Sequence, residues 1–258
     1  MANLAILLSS GKYSDLTLVC EDQEFQVHKG IVCSQSPVLD AALKGNFQEA
    51  KTNTFHVVTF NPTTVKCMLD YMYTGNYAQT PSSCCNESKD QAQTTENDKD
   101  CSVKSDTETW LHHGFVNCVA DYFCVPELAK MAVAALDKLT REHWSEDAFC
   151  DLMYGTHGRT GDDGFRVMMA TRAVDHLGEL TARGLFNGAD PPSDEMTPTI
   201  LGLCAQRLNE SSARADTQAR ELVKITDILD YARAYCLLCR KFTALHVEQS
   251  TESFDISP

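Results

Sequence analysis

Residues 14–77 alternate short strand-forming runs with short helix-forming ones, and no other stretch restricts the possible folds so tightly. Residues 13–19 and 25–27 are rich in β-branched and aromatic side chains, and the polar Glu21, Asp22 and Gln23 lie between them. That order predicts two strands joined by a tight turn. Next, Ser36 and Pro37 sit where a helix N-cap and first-turn proline belong, and Val38, Leu39, Ala42 and Leu43 form one apolar side behind them. Residues 55–58 alternate as a further strand. Asn61-Pro62 then opens a second helix, with Val65, Met68, Leu69 and Met72 on its apolar face. Short strands and helices mixed in this way predict an α+β domain.

Four elements in this order resemble the BTB/POZ family. They are Asp15 opening the first strand, Phe25 with His28-Lys29 as a Phe-x-x-His-Lys run, Ser36-Pro37 before a helix, and Tyr73-Thr74-Gly75 closing the unit. Further on, Val116 and residues 119–128 resemble the family's helical pair Val-x-x-Ala-Asp-x-Tyr-x-Val-Pro-Glu-Leu, with Tyr122 and Phe123 in reversed order. The resemblance implies a BTB/POZ fold, a short β-sheet flanked by helices, over residues 1–140, followed by an α-helical C-terminal region. Gly164-Phe165-Arg166 also resembles the last helix that follows the domain in fungal BTB proteins.

Function is implied by the same resemblance: a protein–protein interaction module that forms a homodimer and serves as substrate adaptor for a cullin-type ubiquitin ligase. The alternative is an oligomerisation scaffold or transcription-linked regulator without cullin binding. Family members place an N-terminal helix against the partner subunit, which makes Leu4, Leu7 and Leu8 candidate dimer-interface residues, although they could equally cap their own subunit. Asp15 and Lys29 match the charged pocket at that interface. Phe47-Gln48-Glu49 matches a hydrophobic-x-Glu motif in the loop after the Ser-Pro helix, making Phe47 and Glu49 the cullin-binding candidates; the competing reading packs Phe47 onto its own domain.

Composition excludes other classes. The formal charge of -14, from 36 acidic against 22 basic residues, argues against direct nucleic-acid binding, which needs clustered Lys and Arg. The apolar run at 4–8 is too short for a secretory signal, and no run approaches a membrane span. The twelve cysteines are scattered as in reduced intracellular proteins, so no disulfides and a cytoplasmic or nuclear location are expected. Neither a nucleophile–base constellation nor a phosphate loop is visible, so no enzyme, cofactor or metal is expected. His28 reads as structural, and His112-His113 as a solvated pair rather than ligands. The run from Gly155 to Gly164 reads as a flexible inter-helix loop. Cys236 and Cys239 belong to an apolar stripe and lack the second pair a zinc site needs.

Residues 79–109 hold seven acids against three lysines and almost no large apolar side chain, and so read as a disordered acidic insertion. Lengthening a turn from roughly four residues to about thirty costs only ~2 kcal/mol of closure entropy. Beyond it, 141–188 reads as a helical extension, with helices expected over 144–154 and 165–180. Residues 189–215 read as a linker-like segment around Pro191-Pro192, 216–247 as a C-terminal helix, and 248–258 as a disordered tail. In that helix Leu222, Ile225, Leu229, Ala232, Cys236 and Cys239 alternate by three and four. The pattern favours core packing over a short coiled coil.

Overall fold

The computed structural model describes residues 4–45, 47–81, 98–183 and 196–252, with side chains placed except in 98–106, 196 and 227–252. Most of the expected insertion (82–97, with Cys84 and Cys85), Pro191-Pro192 and the end of the tail lie outside the described residues. So do the side chains of Leu229, Ala232, Cys236 and Cys239. The chain divides into two compact units, Met1–Leu201 and Gly202–Pro258.

The first unit opens with helix α1 (Ala5–Ser10) and the hairpin β1 (Leu16–Cys20) and β2 (Gln23–Val27), paired antiparallel with Leu16 opposite Val27 and Cys20 opposite Gln23. The two-residue turn puts Glu21 at φ 52. Strand β1 alternates as a sheet buried on one face should: Leu16, Leu18 and Cys20 are buried and Thr17 and Val19 half-buried. Helices α2 (Lys29–Gln35), α3 (Pro37–Leu43) and α4 (Gln48–Thr52) then carry the chain to β3 (Thr54–Val57). That strand lies parallel to β1 and completes a three-stranded sheet of order β2-β1-β3.

Side-chain caps start two of these helices where the sequence placed them. Ser36 Oγ accepts the Leu39 N–H at 3.2 Å at the head of α3, and Asn61 Oδ1 accepts the Thr64 N–H at 2.8 Å at the head of α5 (Pro62–Thr74). Ser36 Oγ also donates to the Phe123 carbonyl at 2.7 Å, which ties α3 to a segment far along the chain. Gly75, at φ 75, ends α5 in the left-handed conformation that favours glycine there.

Helix α6 (Asp98–Tyr122) runs between α5, α7 (Pro126–Glu142) and α8 (Glu146–Thr156). It begins within the stretch expected to lack structure, well before Trp110. Once a turn is formed, each further residue adds a hydrogen bond, so a polar stretch can extend a helix that packs at its other end. Val116, Val119, Ala120, Phe123, Leu128 and Ala132 join Leu18, Leu39, Met68 and Leu69 in one core.

The expected helix over 165–180 is two helices, α9 (Asp163–Asp175) and α10 (Leu177–Ala182), broken at His176. The His176 ring stacks on Trp144 at 3.7 Å between centroids, and both bond the Glu179 carboxylate, His176 through Nδ1 at 3.2 Å and Trp144 through Nε1–H at 2.8 Å. The loop before α9 is also not free: Asn117 Nδ2 donates to Asp162 at 2.8 Å, Thr160 donates to Asn117 Oδ1 at 2.9 Å, and Gly161 N–H donates to Asp121 at 2.7 Å.

Finally, α11 (Met196–Glu252) takes up the described part of the expected linker, 196–215, and runs past residue 247. Ala, Leu, Arg, Gln and Glu crowd residues 203–222, and Pro198 falls in the first turn, where its missing N–H costs little.

Candidate protein interaction surfaces

Helix α1 lies against β2 and α5. Leu7 and Leu8 pack partly onto the domain's own core, whereas Leu4 is 38% and Ile6 61% exposed. The dimer candidates therefore divide. Leu7 and Leu8 are held by their own subunit, and the bare apolar surface belongs to Leu4 and to Ile6, which the periodicity of so short a run did not single out. The chain leaves α1 through Gly11 at φ 61, where a Cβ would approach Gln26 Cβ to 3.0 Å. A groove of about 610 Å³ follows the helix, lined by Ala5, Ile6, Leu8, Phe25, Lys66 and Asp70. Burial raises the Asp70 carboxyl above its ordinary value, and the Lys66 ammonium offsets part of that rise.

Asp15 and Lys29 come together, but not as a pair of charged side chains. Asp15 Oδ1 accepts the backbone N–H of Lys29 at 2.7 Å, while the Lys29 ammonium donates to Asn53 Oδ1 at 2.5 Å. The carboxylate thus sits at the start of α2, where its charge meets the positive helix end. Asn53 holds φ 53, a left-handed conformation that Asn tolerates better than most residues.

His28, just before α2, has its place fixed from both sides. Its backbone N–H donates to the Tyr73 hydroxyl at 2.8 Å, its Nδ1 shares a 2.7 Å bond with the same hydroxyl, and its Nε2–H donates to the Lys12 carbonyl at 2.8 Å. One imidazole thereby links α5 to the segment between α1 and β1.

Phe47 stands at the N-terminus of α4 with extended backbone, φ -67 and ψ 156, and is 61% exposed. It does not pack into its own domain. Glu49, in the first turn of α4, is half-buried. The two residues of the hydrophobic-x-Glu motif thus differ: Phe47 is exposed and Glu49 half-buried.

The adjacent histidines correct the sequence reading. His112 is 8% and His113 2% exposed, not solvated. His112 Nε2–H donates to the Ala78 carbonyl at 2.7 Å, and His113 Nδ1 shares a 2.7 Å bond with the Tyr77 hydroxyl. Both bonds fasten α6 to the chain just after α5. The pair is buried because α6 is covered from several directions at once, so neighbouring residues on different faces can both be inside.

Among the described residues no cluster of three His, Cys, Asp or Glu side chains could hold a metal ion, and no helix is long and apolar enough to cross a membrane. The features that stand out are surfaces: an exposed aromatic on a short helix and a groove beside α1 lined by apolar and charged side chains together.

Among solved structures the chain is similar to the BTB domain of zebrafish PATZ1, at 12% identity and a TM-score of 0.35, over 53% of this chain and 86% of that one. Residues 4–92 match the family model for the BTB/POZ domain. The chain therefore carries a BTB/POZ domain, a protein–protein interaction module, ahead of its further helices.

Proposed function

We propose that the protein is a dimeric adaptor that uses its BTB/POZ domain to bind a cullin scaffold and so brings a substrate protein to a ubiquitin ligase. The exposure of Phe47 carries this reading. A phenylalanine 61% exposed at the head of a five-residue helix contributes little to its own fold and is placed to anchor in a partner's groove. In this reading Glu49, two residues on in the first turn of α4, helps to hold the loop that presents the ring.

Dimerisation in this reading uses the face around α1. Leu4 and Ile6 offer the apolar contact, and the groove between α1, β2 and α5 offers the concave counterpart. Asp15 and Lys29 contribute to this face in the reading through the loop geometry they fix, Asp15 by accepting the Lys29 N–H and Lys29 by bonding Asn53.

Titration of the full chain against purified cullins tests the cullin step. Phe47→Ala removes the anchor and leaves the domain's core untouched, so affinity should fall by at least about thirtyfold, ~2 kcal/mol, with an unchanged melting midpoint. Binding by the variant equal to the parent's, or none by the parent, would sink the adaptor reading and leave a scaffold that works without a cullin.

A further inference from the structure

Among the described residues of the second unit, Gly202–Pro258, the remainder of α11 is the one secondary-structure element. At 1.5 Å per residue this 57-residue helix is about 85 Å long. Among the described residues no other element of that unit covers it: Leu208, Leu222 and Ile225 are 70%, 63% and 52% exposed, as is Leu201 at the end of the first unit (63%), while Leu203 and Cys204 are half-buried.

These residues lie on a single stripe. Writing Leu201, Leu208, Ala215 and Leu222 as heptad position a places Cys204, Ser211, Gln218 and Ile225 at d, with spacings of three and four kept throughout. The same frame continues in the sequence through Leu229, Ala232, Cys236 and Cys239, whose side chains lie outside the described residues. Every charged residue between 201 and 240 falls off the stripe. A strict 3.5-residue repeat of this kind fits one partner best, another helix with the same repeat.

We propose that α11 pairs with α11 of a second copy of this chain as a parallel, in-register, two-stranded coiled coil. The two polar positions of the stripe decide both partner and direction. Ser211 and Gln218 are both at d, while the a positions between 201 and 236 are Leu, Ala or Cys. In an antiparallel pair, a faces d, and both polar side chains would be buried against apolar ones. In a parallel pair in register, d faces d, so Ser211 meets Ser211 and Gln218 meets Gln218, and each finds a hydrogen-bond partner. The flanks agree: Arg207, Arg214 and Glu221 at g would face Ser212, Ala219 and Thr226 at e of the other copy, so no like charges meet. This surface is independent of the one proposed around α1 and does not rest on the adaptor reading.

Parallel in-register pairing sets Cys204 opposite Cys204. Oxidation of the full chain with copper–phenanthroline, followed by peptide mass spectrometry, should yield an intermolecular Cys204–Cys204 disulfide. Leu208→Asp with Leu222→Asp should reduce that product by about tenfold or more, because each charge enters the buried seam. Val223→Asp, equally exposed at 60% but off the stripe, should leave it unchanged. Leu4→Asp with Ile6→Asp should leave it too, since that change touches only the α1 surface. Absence of the Cys204–Cys204 product overturns the proposal. So does a Cys204–Cys236 or Cys204–Cys239 product between copies, which would mean antiparallel helices, or an equal loss in the stripe and Val223 variants.

Discussion

His113 is 2% exposed, with the Tyr77 hydroxyl 2.7 Å from its Nδ1 and the His112 ring 5.4 Å away between centroids. Burial first, and the neighbouring His112 second, push its pKa down to about 4; burial likewise lowers His112 and pushes the Tyr77 phenol up. The unfolded chain therefore takes up a proton at a pH where the folded chain does not. Stability is full above the ordinary imidazole value and is lost as pH falls from there toward about 4. For His113 alone the loss across that window is about 3 kcal/mol. Urea unfolding at pH 7.5 and pH 4.5 should show it, and in His113→Gln the difference between the two pH values should shrink by a comparable amount. An undiminished difference would place the pH dependence elsewhere. No sequence signal marked this site: two histidines a hundred degrees apart on a helix look solvated unless the helix is surrounded, and that depends on partners distant in the chain.

Helix α6 is the element on which the domain and its helical extension both depend, and its contact with α8 is built on glycine. A Cβ on Gly114 would collide with Leu152 Cδ1 and reach Thr156 Cγ2 at 3.0 Å; across the same contact, a Cβ on Gly155 would come within 3.0 Å of Leu111 Cδ2. Gly114→Ala should therefore cost about 1–3 kcal/mol in spite of alanine's better helix propensity, because the neighbours are held in a packed core. Gly155→Ala should cost less, since its Cβ would stop 3.0 Å from Leu111, which is only half-buried and can give way, whereas Leu152 opposite Gly114 is fully buried. Denaturant midpoints of the two variants check the order; a stabilised Gly114→Ala would mean that the helices can separate freely.

The elements that could be read from sequence were those whose cause is local. The Ser36 and Asn61 caps, the hairpin turn and the apolar faces of α3 and α5 each follow from residues within a few positions. What could not be read depends on distant partners. The Ser36 bond to the Phe123 carbonyl, the pinning of 160–162 by Asn117 and Asp121, and the break at His176 beneath Trp144 all join segments tens of residues apart. Phe47 belongs with these, since its motif was visible but its exposure was not.

The whole molecule is two units that differ in what stabilises them. Unit 1 holds a continuous buried core from Leu16 to Ala132 and a second set of buried side chains from Leu136 to Ile200, whereas every described residue of α11 from 205 to 226 is exposed. A chain ending at Leu201 should therefore keep the first unit's cooperative unfolding. Both tryptophans, Trp110 and Trp144, lie in that unit, so their fluorescence follows it alone, while far-ultraviolet circular dichroism follows all helices. The truncated chain should melt within a few degrees of the intact chain by fluorescence, since 1 kcal/mol moves the midpoint of a unit this size by about 2–4 °C. In the intact chain, circular dichroism should show an additional loss of helix, absent from the fluorescence trace and shifting upward with protein concentration, as expected for a helix held by a second copy. A truncated chain without a cooperative transition would mean that the first unit needs α11 to fold; a helix loss independent of concentration would mean that α11 is held within its own chain.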